Sequence, residues 1–517
     1  MTVDDRRPFG GRPLDEVQEE LFQEIRELYT ADSVPWVVGY SGGKDSTAVL
    51  VLVWLALQGL PMEQRTKPVY VISTDTLVEN PVVATWVTGS LDQMQLAAAE
   101  QGLPIQPNRL TPKVEDTFWV NLIGKGYPAP RPKFRWCTER LKIKPSNSFI
   151  RNVVRRHGEA ILVLGIRKAE SQARARAMAR HERGRVQDRL NRNASLPNSL
   201  IYSPVEDWTN DDVWMFLMQT PNPWGVNNKD LLTMYQGASE DGECPLVVDS
   251  STPSCGDSRF GCWTCTLVDK DKSMSAMIQN DHEKEWMLPL LDLRNDLDVT
   301  NDRPLRDFRR MNGRVMEMGQ GDDRRIVHGP YTQESRHQWL RRLLEAQTWI
   351  RGNGPEHLRG LELISLEELH EIRRIWVFEK HEIEDALPGI YAETTGDEFP
   401  GLPVDEHLAL AAEDVDVLRE VCGENELHFE MTRSLIAVEK RFRSRARRKG
   451  LFEALEKEIR RGFYEDRDDA VERARLASEA KEFAKGKRME IELPPEEPDV
   501  ILLADDREPE EAFDAIP

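Results

Sequence analysis

Apolar positions along the chain follow two periods, and their alternation predicts helices layered on a sheet. Residues 14–30 place apolar side chains at helical spacing among charges, an amphipathic helix leading into the short buried run WVVGY at 36–40. A turn of small residues, SGGKDS, separates that run from the apolar stretch 48–57, the longest in the chain and half of what would span a bilayer. Residues 68–74 read as a second strand, followed by a helix around 81–101. Residues 111–132, aromatic and rich in Gly and Pro (FWVNLIGKGYPAPRP), read as a loop with a short helix. The continuous run AILVLGI at 160–166 suits a strand covered on both faces. SLIYSP adds another strand before a helix capped by Thr209, with Asp212 three residues on. The expectation is an α/β parallel sheet with its ligands at the carboxyl ends of the strands.

Near residue 220 the pattern changes. Pro, Gly, Ser and Cys dominate as far as residue 266, and helical periodicity then returns. The expected divisions are a sheet domain at 1–220, a Cys-rich segment at 221–290, a helical region at 291–403, a helical unit at 404–488 and an acidic, disordered tail at 489–517. No internal repeat is visible.

Composition narrows the setting. The N-terminal segment has no apolar core of a secretory signal, and six cysteines in 517 residues make no disulfide framework. A reducing cytoplasm and no membrane association are expected. The net charge of −21 argues against a general nucleic-acid binder. Residues 131–192 nevertheless hold 18 Lys/Arg against 5 Asp/Glu, either a solvated surface or a groove for polyphosphate and a nucleic-acid backbone.

The turn Ser41-Gly42-Gly43-Lys44-Asp45-Ser46 follows a strand and opens a helix, so its backbone amides suit an anion. The kinase-type loop is excluded: the glycine spacing is one residue short, and Asp45 stands where Ser or Thr should hold magnesium. The hexapeptide instead resembles the signature of ATP pyrophosphatases, which cleave ATP between its α- and β-phosphates. Further stations lie where strands end. Asp75, in STDTLVEN, is placed to meet ribose, adenine or magnesium, although a lone Asp there is also a turn former. GIRKAESQARARA carries Arg167, Glu170, Ser171 and Arg174, with Arg167 leaving a buried strand where it can clamp phosphate. SPVEDWTNDDVW reads as a structural strand-to-helix join.

The order SGGKDS, TDT, G-I-R-x-x-E-S-x-x-R and P-x-x-D-W-T-x-x-D-V-W is similar to the PAPS reductase-like branch of the adenine nucleotide alpha-hydrolases, over about residues 33–220. FRWCTERLKIKP at 134–145 resembles the reductase motif R-x-C-C-x-x-x-K-x-x-P, departing at Thr138. The distal piece GECPLVVDSSTPSCGDSRFGCWTCTLVDKDKSM resembles the DndC family, the sulfurtransferases of bacterial DNA phosphorothioate modification.

Cys255, Cys262 and Cys265, spaced C-x6-C-x2-C, form a nucleus for zinc or an iron–sulfur cubane. Cys244 would complete a compact local site, whereas Cys137 would tie the cluster to the sheet domain. The resemblance favours a [4Fe-4S] cluster on Cys137, Cys255, Cys262 and Cys265, leaving Cys244 as a persulfide carrier. It also implies ATP with Mg2+, adenylylation of a DNA backbone phosphate and replacement of a non-bridging oxygen by sulfur. In that reading Ser41, Ser46 and the loop amides hold pyrophosphate, Asp45 and Asp75 orient magnesium or ribose, Arg174 joins the nucleotide site, and Lys44 and Arg167 neutralise developing charge. The implied partners are DndD- and DndE-like phosphorothioation subunits, a cysteine desulfurase as sulfur donor, and DNA held through the complex. Cys422, in EVCGENELH, reads as a structural cysteine before a helix-capping Gly423.

Overall fold

The structure, a computed structural model, describes residues 7–182, 189–193, 195–238, 260–319, 324–401, 412–423, 425–443 and 447–489. The expected acidic tail therefore lies outside the described residues apart from Met489.

A sheet of six strands runs in the order β3-β2-β1-β4-β6-β5. Strands β1 (Trp36–Gly39), β2 (Val69–Thr74), β3 (Ile105–Leu110), β4 (Ala160–Val163) and β6 (Ser199–Tyr202) are parallel, and β5 (Asn191–Arg192) lies antiparallel on the edge. Strand β1 is central, with Trp36 opposite Val69 on one side and Ile161 on the other. Both faces are covered, which is why these strands are apolar without alternation.

One face packs under α1 (Leu14–Thr30), α2 (Lys44–Gln58), α3 (Pro81–Glu100), α6 (Asn210–Gln219) and α7 (Asn228–Gly237). The other carries α4 (Lys144–His157), whose Ile150 and Val153 meet Val37, Ile72 and Leu162. Helix α5 (Gln172–Glu182) follows the end of β4. Helix α2 is apolar all round and buried continuously from Ser46 to Trp54, as an interior helix must be. The expected capping box is present: Thr209 accepts from the Asp212 amide, and the Asp212 carboxylate accepts from the Thr209 amide.

Two expectations needed correction. The apolar run at 160–166 is strand only to Val163, after which the chain leaves the sheet toward Arg167. Strand β3 was missed, because Pro107 interrupts its pattern; Pro lacks a donor and is tolerated here only because β3 is an edge strand.

A second core joins the 118–141 segment to α8 (Lys272–Asn280), α9 (Leu288–Leu297), α10 (Gln333–Asn353), α11 (Leu366–Arg374) and α12 (Ala386–Thr395). Its seam includes two π-helical turns, Val120–Lys125 and Ile375–Glu379, joined where the Trp376 indole donates to the Ile123 carbonyl at 3.0 Å. Helices α13 (Ala412–Cys422), α14 (Glu426–Arg443), α15 (Leu451–Gly462) and α16 (Arg467–Met489) follow. Cys422 packs beside Ile383, Val415 and Phe429, and Gly423 takes φ +61° to end α13. Among the described residues no helix is long and apolar enough to cross a membrane.

The core under α2 generates a direct test. Trp54 is fully buried, donates to Gln101 at 2.7 Å and lies 5.5 Å from the Trp224 ring. Trp54→Ala should cost about 3–5 kcal/mol, read as a lower urea midpoint.

Candidate functional site

Parallel strands deliver their carboxyl ends to one side of the sheet, and the sequence-predicted stations gather there. The loop after β1 is closed by its own side chains. The Ser46 hydroxyl takes the Ser41 amide at 3.1 Å and donates to the Gly43 carbonyl at 3.0 Å, and the two serine hydroxyls lie 3.1 Å apart. Gly42 has φ +74°, and a Cβ there would fall 2.4 Å from Val87, so only glycine fits. The Trp86 indole donates to the Gly42 carbonyl at 3.1 Å. Ser41 stays exposed at the mouth.

Asp45, at the start of α2, is neutralised twice. Arg167 Nε donates to it at 2.7 Å and Lys44 Nζ at 3.0 Å. Arg167 is buried, and its second arm donates to the Trp208 carbonyl at 3.2 Å. Glu170 fixes the Arg167 backbone amide at 3.1 Å and also pairs with Arg174, so Arg174 is engaged on its own segment and not at the loop. Gly165 lets the chain end after β4 press on the loop: a Cβ there would lie 2.8 Å from the Asp45 carbonyl.

Asp75 follows β2 and is gripped by Arg109 of β3, with Nε–Oδ2 at 3.0 Å. Next in the chain, the buried Thr76 hydroxyl lies 3.3 Å from Cys262 Sγ. Residues 261–263 run beside 78–80, the Trp263 amide donating to the Val78 carbonyl at 3.0 Å. The Cys262-x-x-Cys265 turn is thus stitched to the end of β2.

Cys137, at the head of the Thr138–Ile143 turn that leads into α4, and Cys262 each lie within electrostatic reach of Cys265. Burial pushes the Cys262 thiol up to about 11, with Lys142 opposing, and burial raises Cys137 as well. Lys142 is pulled down by burial, but Cys262, Glu79, Cys137 and Cys265 together hold it raised, and its amine lies 3.7 Å from Glu79. Burial thus keeps Cys137 and Cys262 toward the neutral thiol, and the Lys142 ammonium works against it at Cys262, toward the thiolate that binds soft metals. Cys244 and Cys255 lie outside the described residues, and among the described residues no group of three or more His, Cys, Asp or Glu is poised as a metal cage.

Sequence reasoning passed over Arg109, Tyr235 and Lys142. The Tyr235 hydroxyl lies 3.4 Å from the Lys44 amide and its ring under the Lys44 ammonium, from a helix beyond every motif. Arg109 sits on the missed strand. Lys142, however, was legible as the lysine of the R-x-C-C-x-x-x-K-x-x-P pattern.

Of the basic stretch, Arg131, Arg140, Lys142, Lys144, Lys168 and Arg189 each reach a carboxylate outside it. On α4, Arg151, Arg155 and Arg156 are exposed without a carboxylate partner among the described residues. Arg183 and Arg185 lie outside the described residues.

The fold and this arrangement define a mostly parallel α/β sheet domain with its candidate site at the carboxyl ends of the strands. Residues 35–267 match the family described as the phosphoadenosine phosphosulfate reductase domain. Among curated proteins, the chain is similar to an uncharacterized protein of Methanocaldococcus jannaschii, 26% identical over 211 residues, 41% of this chain and 37% of the relative. The chain thus spans little more than a third of that relative's length. Among solved structures, it is similar to phosphoadenylyl-sulfate reductase from Candida auris, at 15% identity and TM-score 0.26, covering 41% of this chain and 87% of that one. It is also similar to the U34-tRNA thiolase NcsA from Methanococcus maripaludis with its [4Fe-4S] cluster, at 15% identity and TM-score 0.26, covering 42% and 71%.

The close approach at Gly165 can be tested against a glycine with room. Gly165→Ala should displace the start of α2 and cost about 1–3 kcal/mol. Gly89→Ala, on α3 with nothing near the added Cβ, should be neutral or stabilising by up to about 1 kcal/mol. Thermal midpoints of the two variants decide it.

Proposed function

We propose that the chain is an ATP pyrophosphatase and sulfurtransferase that activates a phosphate oxygen of DNA by adenylylation and exchanges it for sulfur. One observation carries this reading: the 3.3 Å contact of Thr76 with Cys262 puts a thiol pair directly beside the nucleotide end of the sheet. Nucleotide activation and sulfur delivery need that adjacency, since the activated phosphate must meet sulfur before water.

The substrate oxygen attacks the α-phosphate of ATP, forming a mixed adenylate and releasing pyrophosphate. Hydrosulfide supplied by the sulfur donor then attacks the activated phosphorus: the P–S bond forms as the P–O bond to AMP breaks, AMP leaves with the former phosphate oxygen, and the sulfur proton passes to solvent. The loop amides and the exposed Ser41 hydroxyl donate to the departing pyrophosphate, Ser46 holds the loop in shape through its bonds to Ser41 and Gly43, and Lys44 sheds its contact with Asp45 to follow the developing charge. Arg167 holds Asp45 in place throughout. Cys137, Cys262 and Cys265 suit a cubane in donor type, with Cys255 as the fourth ligand; the cluster when bound would supply electron-rich iron to hold or pass sulfur. Asp45 and Asp75 are already paired with Arg167 and Arg109, so the described residues form no resident magnesium cage; magnesium brought by ATP would be held chiefly by its phosphates and would offset their charge.

The match to a reductase domain supports a rival, a sulfonucleotide reductase without ATP turnover. Its reactive tail cysteine has no counterpart here among the described residues: Cys422 is packed at a helix end with 95 residues beyond it.

The test is product analysis of the purified protein with ATP, with and without DNA and a sulfur donor. AMP and pyrophosphate are expected, and Ser41→Ala or Lys44→Gln should lower their formation about 100-fold; ADP and phosphate, or no turnover, would sink the proposal. Anaerobic protein should hold about four irons per chain, lost in Cys137→Ser, whereas zinc alone would remove the cubane. For DNA, Arg151→Glu with Arg155→Glu and Arg156→Glu should weaken binding by the partner-bound complex and flatten its dependence on salt, leaving DNA-free ATP cleavage unchanged.

A further inference from the structure

Far from the nucleotide loop, the C-terminal helices enclose a cavity of about 390 Å³ against the second π-helical turn. Five cations line it, Lys125, Lys380, Arg441, Lys457 and Arg461, against two carboxylates. Both carboxylates are engaged, Glu379 with Arg374 at 2.7 Å and Glu458 with Arg461 at 3.8 Å. Lys125 is fixed on the Glu115 carbonyl at 2.6 Å. Lys380, Arg441 and Lys457 have no carboxylate partner among the described residues.

His381 also lines the cavity. It is only 6% exposed, and among the described residues its ring has no hydrogen-bond partner. Its backbone takes φ +58°, a left-handed conformation costly for a residue with a Cβ and concentrated at ligand sites. Burial, reinforced by Arg441, Arg461, Arg433 and Lys457, pulls the imidazole down to about 4. Burial, with Arg336 adding to it, pulls the Lys380 amine down to about 7. Burial is the main cause for both groups; the neighbouring cations add to it, and at Lys380 the charges of Glu382 and Asp307 offset part of the effect. A second cavity of about 880 Å³ shares Lys380 and His381 and leads outward.

We propose that this cavity is a second ligand site, one that binds a phosphate group, with Lys380, Arg441 and Lys457 as counter-charges and the neutral His381 ring as an N–H donor. Cations that outnumber carboxylates five to two in a recess hold any anion that enters more strongly, because water screens them less there. The volume suits a ligand of nucleoside monophosphate size. The phosphate can belong to a free small molecule or to a polynucleotide strand, and the inference does not depend on cleavage of ATP at the loop.

Pyridoxal 5′-phosphate, an aldehyde bearing a phosphate, probes the site through Lys380. The amine condenses with the aldehyde, water leaves, and borohydride fixes the adduct for peptide mapping. On the full chain, Lys380 should be modified about tenfold faster by this reagent than by pyridoxal, the gain of one charge-assisted contact. Arg441→Gln with Lys457→Gln should remove that preference while leaving the circular dichroism unchanged. Protection by pyrophosphate alone identifies a small-molecule site, and protection by duplex DNA a strand site. Equal rates for the two reagents in the unmodified protein, or protection by neither competitor, would overturn the proposal; the two-reagent ratio stands even if the double variant fails to fold.

Discussion

The ion pair of the buried Arg167 with the partly exposed Asp45 is the interaction on which the site depends. A guanidinium taken out of water needs a partner close by, and removing one half of such a pair costs about 3–5 kcal/mol. Here the partners lie 122 residues apart in sequence, one after β4 and one at the head of α2. Their 2.7 Å contact locks the loop after β1 to the strand beside it, and the Trp208 carbonyl adds the segment leading to α6. The chain segments that leave β1, β4 and β6 therefore converge on a single side chain.

A second arginine does related work for the thiols. Arg294 of α9 is almost wholly buried and accepts no freedom: it donates to the carbonyls of Cys265, Val268 and Asp269 and pairs with Asp298. The Cys262–Cys265 turn is thus held from behind by the second core and from the front by the edge of residues 78–80. Cys137 and Cys262 pack against the second core, which explains how a segment so distant in sequence reaches the carboxyl ends of the strands.

Much of this was legible in the residues. The strands at 36–40, 68–74 and 199–202 announced themselves because double burial demands unbroken apolar runs, and Thr209 with Asp212 gave a helix start by local chemistry alone. Strand β3 was hidden by Pro107 and its polar neighbours, since an edge strand has no need of an apolar pattern. Helix α4 was hidden differently: its few apolar contacts, Ile150 and Val153, are sparse within a basic stretch whose charge drew attention to ligands. Most of that charge is used in pairing across the fold. Partners such as Arg109 and Tyr235 are set by strand order and by a helix arriving from elsewhere, relations that spacing along the chain does not encode.

The outer borders of the sheet have a further consequence. At one end the two-residue β5 turns against its neighbour, and at the other β3 carries Pro107 with Gln106, Asn108 and Arg109 around it. Neither border presents a long, even row of free amides and carbonyls, the template by which sheets of separate molecules fuse. A parallel sheet this apolar is a hazard while it assembles, since its strands must find partners far along the chain. Once formed, its margins resist coalescence with other copies, which matters for a protein whose interior strands would otherwise read as seeds for fibrils.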